Sequence, residues 1–381
     1  MNILFISHNA NQTGAPLALL CLLKSIKEKA KDLTFSVFLM DNGPLTEQFK
    51  ELCHVISPQS SPWNLKKVLT PVRLRDRLFI RMLIHHIKSQ HYDLIYANTI
   101  SSFNCAISLK EILHIPILLH IHESKSTLSA FNINSRTLGK CDHMIAVSHK
   151  EYDSLREMGV EKDRISVIYP ISSLAEKLLR NPLYSQIEKT EKDWSRITIG
   201  CVGPLISRKG ADFIPMVMNA LFTRHPDCNF EIHIIGDYLD ELRDTINYDI
   251  KRIGGEKNIH FHGMIKDPIL DYNNIDVLLV LSREESFSLV VLEFGLMGKP
   301  VILFDGSCGV QHFLRNNDNS IIVPYMDFNA IADAIDLMAK RHEECLRLGR
   351  NLQSTMREHY NTTSTNEAII EVIYLFNKKQ I

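Results

Sequence analysis

Leu281-Ser-Arg-Glu-Glu-Ser-Phe-Ser-Leu-Val-Val-Leu-Glu-Phe-Gly-Leu-Met-Gly-Lys-Pro300 is the stretch that decides how this chain folds. Ser286 and Ser288 are helix-capping types, Leu289 to Met297 is almost wholly apolar, and Gly298-Lys299-Pro300 is a helix stop. The pattern predicts a buried helix of about two to three turns. Into it the sequence sets one carboxylate, Glu293, with Glu285 eight residues earlier in the loop before the helix. A carboxylate on a helix that is apolar all round costs roughly several kcal/mol unless something pairs with it. One reading is a structural ion pair or hydrogen bond. The other is a ligand, because the free amides at the helix start suit a phosphate and the two carboxylates can accept hydrogen bonds from ribose and sugar hydroxyls. That chemistry fits a sugar nucleotide.

Working outward, the chain reads as strands alternating with helices. Asn2 to His8 is a short apolar run with no basic segment before it and no cleavage site after it, so it is a buried strand rather than a signal peptide. No later run reaches membrane-spanning length. Gly14-Ala15-Pro16 and the apolar-periodic Leu17 to Ile26 follow, a strand, turn and helix that open a doubly wound α/β domain. Further strands are expected at Thr34 to Met40, Leu94 to Ala97, Ile117 to Ile121 and His143 to Val147. Polar residues stand at their ends: Asn98-Thr99, His122-Glu123-Ser124 and Ser148. His122 is a candidate for a sugar or acceptor site, with a satisfied structural histidine as the ordinary alternative.

A polar segment from Tyr169 to Asp193 lacks a strand pattern and marks a linker. Strands resume at Ile197 to Gly203, and Pro204 to Gly210 then leads into a helix from about Ala211. Arg208 and Lys209 in that loop, just before a helix, are placed to clamp a diphosphate, although a solvated loop is the default for such a pair alone. Phe230 to Ile235, Ile259 to Gly263, Asp276 to Leu281, Pro300 to Phe304 and Ser320 to Val323 supply more strands. Ile331 to Lys340, Cys345 to Tyr360 and Glu367 to Phe376 are amphipathic helices. The expected divisions are a first domain over 1–170, a linker over 171–195, a second domain over 196–360 and a final helix in 361–381.

The 381 residues suffice for two cores, and a net charge of -1 gives no global argument for nucleic acid. Eight cysteines are scattered with no Cys-x-x-Cys pair and no histidine cluster in the linear sequence. Neither a zinc site nor a disulfide framework is expected, and the compartment reads as cytoplasmic. Charge is concentrated locally between Trp63 and Gln90, where seven basic residues face one acid, Asp76, among interleaved apolar side chains. Such a segment can lie on an anionic membrane surface; a solvated helix packed on the sheet is the alternative.

Glu285-Ser-Phe-Ser-Leu-Val-Val-Leu-Glu293, followed by Gly298-Lys-Pro-Val-Ile302, resembles the Glu-x7-Glu signature of the retaining glycosyltransferases of family 4. Ser7-His8 with Gly14-Ala-Pro16, Ala97-Asn-Thr99, His120-Ile-His-Glu123 and Asp142-His-Met-Ile-Ala-Val-Ser148 extend the likeness over nearly the whole chain. The resemblance implies the α/β GT-B fold, two Rossmann-like doubly wound domains facing across a cleft. It also implies a nucleoside-diphosphate sugar donor, no metal and no other cofactor, and a glycan or lipid-linked acceptor in polysaccharide biosynthesis, with peripheral attachment at the inner membrane face. Glu293 would bind the ribose, and Glu285 and His122 would lie at the donor sugar. Arg208, Lys209 and the amides near Ser288, Leu289 and Val290 would hold the diphosphate. Gly263 and Met264 would receive the base, Gly14 would allow close backbone approach, and the final helix would pack back on the first domain. One departure stands out: the family's Gly-Arg-x4-Lys-Gly loop has Pro204 in place of the arginine, with Arg208 as the substitute cation. The chain has no Asp-x-Asp pair, in keeping with metal-independent transfer. Three other classes share the architecture: a sugar-nucleotide epimerase, a phosphorylase, for which no pyridoxal-binding lysine motif is evident, and a non-catalytic partner subunit, which Pro204 favours.

Overall fold

The computed structural model describes residues 1–12, 14–57, 90–170, 172–180, 194–237, 240–265, 268–360 and 362–378. Their apolar runs pair into two sheets of parallel strands. The first contains β1 (Asn2–Ser7), β2 (Thr34–Leu39), β3 (His54–Ile56), β4 (Leu94–Ala97), β5 (Ile117–Ile121), β6 (His143–Ala146) and β7 (Ile165–Val167), in the order β3-β2-β1-β4-β5-β6-β7. The second contains β8 (Ile197–Val202), β9 (Phe230–Ile235), β10 (Ile259–Gly263), β11 (Val277–Val280), β12 (Val301–Phe304) and β13 (Ile321–Val323), in the order β10-β9-β8-β11-β12-β13. Both are doubly wound. The chain runs outward from β1 or β8, then returns to the other side of that strand, and ligands in such sheets bind at the carboxyl ends where the order reverses.

Two compact units result, one of Met1–Ser173 with Thr362–Ile381 and one of Leu174–Asn361. The central strands of each sheet are apolar because a parallel sheet is covered on both faces there. In the first unit, Leu4, Ile6, Ile95, Ile117 and Leu119 fill one face, while Ile3, Phe5, Leu94, Tyr96 and Leu118 fill the other. That alternation is the two-residue period of a strand. The helix Thr362–Lys378 joins the second of these cores through Ile369, Ile370, Val372, Ile373 and Phe376. Lys29 to Glu367 at 2.9 Å and the Tyr374 hydroxyl donating to Asp32 at 2.5 Å add polar contacts at its rim. Fully burying one such side chain contributes about 1.5–3 kcal/mol, so the helix is held by its apolar stripe more than by these exposed pairs.

Several local expectations change. Strands β3 (His-Val-Ile) and β7 (Ile-Ser-Val) went unread because each is three residues long with a polar one among them, whereas the equally short β13 is wholly apolar. Ser173–Arg180, expected as linker, is a helix with Leu174, Ala175 and Leu178 buried on one face. The loop after β8 does not enter an α-helix at Ala211; it makes 3-10 turns at Ser207–Lys209 and Ala211–Phe213, and the α-helix is Ile214–Arg224. The basic segment at 63–90, apart from Gln90, and residues 181–193 of the linker lie outside the described residues. All eight cysteines are free thiols. Among the described residues, no helix is long and apolar enough to cross a membrane.

Candidate active site

In the second unit the reversal of strand order falls between β8 and β11, and the loops that follow these two strands are tied together. Gly210, at φ 71°, lies so close to β11's end that a Cβ there would fall 1.9 Å from the Leu281 carbonyl oxygen. The Arg283 amide donates to the Arg208 carbonyl at 2.9 Å. The Arg283 guanidinium forms a bidentate pair with Asp212 (2.8 and 2.7 Å) and lies 3.9 Å over the Phe213 ring. That hydrogen bonding draws the Asp212 pKa below its ordinary value and raises that of Arg283.

This brace brings Lys209 onto Glu285. The Lys209 ammonium donates directly to Glu285 Oε1, and the Ser282 hydroxyl donates to Oε2 at 3.0 Å. The pair is largely out of water, with side-chain exposures of 21 % and 10 %. Glu285 is fixed through its backbone as well, its amide donating to the Ser307 carbonyl (2.8 Å) and its carbonyl accepting from Gly309 (3.0 Å). Lys209, Glu285, Ser282, Pro204, Ser288 and Val290 line one recess at this point. Ser288 is the N-cap residue of the helix Leu289–Leu296, but its hydroxyl makes no capping bond, so the capping expected of it is not made. The first amides of that helix have no intrahelical acceptor, as at every helix start.

Glu293 lies on this helix and is buried at 8 % exposure. It sits within electrostatic reach of Tyr272, whose hydroxyl pKa is pushed up by burial first and then by the Glu293 and Asp271 charges. Lys299 of the Gly-Lys-Pro turn is structural: its ammonium donates to the carbonyls of Asn273 (2.8 Å) and Ile275. Three neighbouring strands, β8, β9 and β10, each end at a glycine of positive φ, Gly203, Gly236 and Gly263. A Cβ on Gly236 would fall 2.0 Å from the Gly203 carbonyl oxygen, so this floor closes only without side chains.

In the first unit, polar groups gather at the carboxyl ends of β1, β4 and β5. Thr99 Oγ1 and His8 Nδ1 are 3.1 Å apart, and the Tyr96 hydroxyl lies 2.7 Å from His120 Nδ1. The His120 and His122 rings are 4.0 Å apart, and the Nε2 atoms of both are buried with no hydrogen-bond partner among the described residues. Burial first, and then His8, lowers His122 to about 4, so it is neutral near pH 7. Glu123 accepts from the amides of Ile100 (3.1 Å) and His122 (3.0 Å), and burial raises its pKa to about 7 despite those donors. Gly14 begins the helix Gly14–Lys29, where Asn98 Nδ2 donates to the Ala15 carbonyl at 2.9 Å. A Cβ at Gly14 would meet nothing within 4 Å, so packing gives no reason for a glycine there.

Of the residues singled out in the sequence, Lys209, Glu285, Ser288 and Val290 meet in one recess. Leu289, Glu293, Gly263, Met264 and Arg208 are not among its walls; Met264 is exposed, and Arg208 donates instead to the Glu284 carbonyl at 3.2 Å. His122 and Gly14 belong to the other unit. Ser282, Arg283, Asp212 and Gly236 were not singled out as site residues. A glycine at the end of each successive strand was the one signal that could have found Gly236.

Residues 35–171 match the family model described as Glycosyltransferase Family 4, and residues 196–341 match that described as Glycosyl transferases group 1. The chain belongs to the family 4 glycosyltransferases. Over 377 residues this glycosyltransferase is 23% identical to an uncharacterized glycosyltransferase of Haemophilus influenzae, covering 96% of its own length and 97% of the relative. Among solved structures it resembles Anabaena HepE in complex with UDP-glucose, at TM-score 0.77, 20% identity and coverage of 98% and 99% of the two chains. It also resembles sucrose-phosphate synthase of Thermosynechococcus elongatus, at TM-score 0.79 and 18% identity over the full length of both. At such identities these two structures speak for the fold, and the glycosyltransferase has the GT-B architecture of two Rossmann-like domains.

Proposed function

We propose that this enzyme is a retaining glycosyltransferase that moves a sugar from a nucleoside-diphosphate donor to a hydroxyl of a glycan or lipid-linked acceptor, without a metal, in polysaccharide biosynthesis. The observation that carries the reading is the Lys209–Glu285 pair in the recess at the switch point of the second sheet, beside the start of the helix that bears Glu293. The HepE structure holding UDP-glucose supports a sugar nucleotide as donor. On this reading the ribose hydroxyls donate to Glu293, and the diphosphate takes Lys209 and the amides of Ser288, Leu289 and Val290, with Arg208 swung from the Glu284 carbonyl. Glu285, released from Lys209, accepts from donor-sugar hydroxyls. Gly263 and Met264 receive the base through the backbone, and Gly14 and neutral His122 serve the first-domain side.

In the transfer step the acceptor oxygen bonds to the anomeric carbon on the face from which the diphosphate leaves. The bond between that carbon and the phosphate oxygen breaks with both electrons passing to the phosphate, and the acceptor proton goes to the same oxygen. Charge developing on the leaving group is met by the ammonium and the fixed amides, the arrangement that lowers a barrier most when water is excluded. Glu285, paired and oriented by Ser282, stabilises positive charge at the sugar rather than attacking it. The basic segment at 63–90 would hold the enzyme on the anionic inner face of the cytoplasmic membrane.

A second reading, a non-catalytic partner subunit, is favoured by one feature: Pro204 lines the recess where the family has an arginine. Incubating the protein with a panel of nucleoside-diphosphate sugars and candidate acceptors separates the two. Release of nucleoside diphosphate that Glu293→Gln abolishes supports transfer, binding without turnover supports the partner subunit, and sugar isomerisation without acceptor indicates an epimerase.

A further inference from the structure

Strands β9 and β10 are the last two of the second sheet on one side, and their register sets His260 beside His233. Because alternate residues of a strand share a face, Glu231 and His233 on β9 fall on the same face as His260 and His262 on β10. The intervening Ile232 and Ile234 point the other way, into the core. In the linear sequence these residues form two unremarkable Glu-x-His and His-x-His pairs, 27 residues apart or more. The sheet makes them one cluster.

His233 Nε2 lies 3.5 Å from one Glu231 oxygen and His260 Nε2 lies 3.5 Å from the other. The His233 ring is 4.9 Å from that of His260 and 5.0 Å from that of His262, on which it stacks. His262 Nε2 is 3.0 Å from His233 Nδ1. The Arg196 guanidinium also holds Glu231 Oε1. We propose that Glu231, His233 and His260 form a binding site for a divalent first-row transition metal of the zinc type, with His262 orienting His233.

One donor atom from each of the three residues lies within 4.8 Å of the others, and among the described residues no other such group of three occurs. Bonds of about 2.0–2.1 Å in a tetrahedron set neighbouring ligand atoms about 3.4 Å apart. Each imidazole lies 3.5 Å from a different Glu231 oxygen, close to that spacing, and turning the carboxylate and the His260 imidazole brings one oxygen and both Nε2 atoms around a single ion. With the His233 proton on Nδ1, donated to His262, the Nε2 lone pair is free, which is the arrangement a second shell imposes on a ligating histidine. Imidazole with one carboxylate selects zinc, cobalt, nickel or copper over magnesium or calcium. The ion would displace Arg196 from Glu231 and pin β10 to β9 a few residues before Gly236 and Gly263. None of the four residues lines the recess, although His262 directly precedes Gly263, and metal binding as proposed does not rest on the donor reading.

The test is titration of the chelator-stripped, full-length protein with Zn2+, followed by calorimetry and by melting temperature, with Mg2+ in parallel. The expected result is saturable one-to-one binding, a melting temperature that climbs with free Zn2+, and no response to Mg2+. His260→Gln and Glu231→Gln, each checked for a wild-type circular dichroism spectrum, should weaken binding at least ~10-fold. A Co2+-loaded sample should show the intense visible bands of a tetrahedral site, lost in whichever of these variants folds. Absence of saturable Zn2+ binding, equal response to Mg2+, or undiminished affinity in a folded variant would overturn the proposal.

Discussion

Lys209→Met and Glu285→Gln break the same ion pair, yet they should move nucleotide affinity in opposite directions. The pair is about four-fifths shielded on the lysine side and nine-tenths on the carboxylate side, so neither charge is well solvated when its partner goes. Breaking a fully buried pair costs about 3–5 kcal/mol, and the residual exposure together with the Ser282 hydroxyl on Glu285 brings the expected loss to roughly 2 kcal/mol for either variant. For a unit of this size that lowers the melting temperature by about 4–8 °C. Binding separates the two. On the donor reading Lys209 must leave Glu285 to reach a phosphate, so Lys209→Met forfeits a charge-assisted bond of about 1.5–3 kcal/mol and weakens nucleoside diphosphate binding by roughly 10- to 150-fold. Glu285→Gln removes the competitor for the ammonium and should tighten that binding, while transfer falls because the sugar loses its carboxylate. Isothermal titration of the nucleoside diphosphate that wild type binds, chosen from a panel, into wild type and both variants decides this. Equal weakening by the two substitutions would mean that the pair is a structural brace, and the diphosphate assignment of Lys209 would fall.

Three further tests address the rest of the site. Glu293→Gln should abolish detectable transfer while keeping the fold, since an amide fits the buried position but replaces one of the two charged acceptor oxygens with a donating NH2; unchanged turnover would remove the ribose role. Gly14→Ala and Gly210→Ala should diverge: the first has open space and should leave the melting temperature unchanged or slightly higher while weakening donor or acceptor binding. The second forces a Cβ into the Leu281 carbonyl at a positive φ and should cost ~2 kcal/mol or more, read by urea denaturation. Glu123 gives a pH signature. Its pKa rises from the ordinary 4.5 to about 7 on folding, so the folded state binds the extra proton in that window. The stability it contributes is complete below pH 4.5 and lost as pH climbs to about 7, by ~3 kcal/mol at most. Glu123→Gln should therefore gain on wild type as pH rises across that window. His122, lowered from 6.5 to about 4, acts with the opposite sign, its contribution present above pH 6.5 and lost on acidification. A Glu123→Gln difference that does not vary with pH would refute the buried-acid account.

Much of the frame was legible in the sequence. β4, β5, β9 and β10 run over the residues the sequence indicated: β9 and β10 because polar residues alternate there with apolar ones on the core face, β4 and β5 because a strand covered on both faces is apolar along its length. The helix with Glu293 was legible for the same reason, as was its stop at Gly298, which takes φ 72°. What escaped was short or mixed: the three-residue β3 and β7, the 3-10 turns around Lys209, and the helix at Ser173–Arg180 hidden in a polar stretch.

The sequence by itself determined two doubly wound parallel sheets, since periodicity and burial are local properties that each segment carries in its own composition. It also nominated Glu285 and Lys209, but it could not say that they hold each other. That contact spans 76 residues and exists because Gly210 lets one loop lie against the end of β11. The cluster of Glu231, His233, His260 and His262 was still further out of reach. Which side chains share a face of two neighbouring strands is fixed by the register of their backbone hydrogen bonds, and register is decided only when the whole sheet assembles.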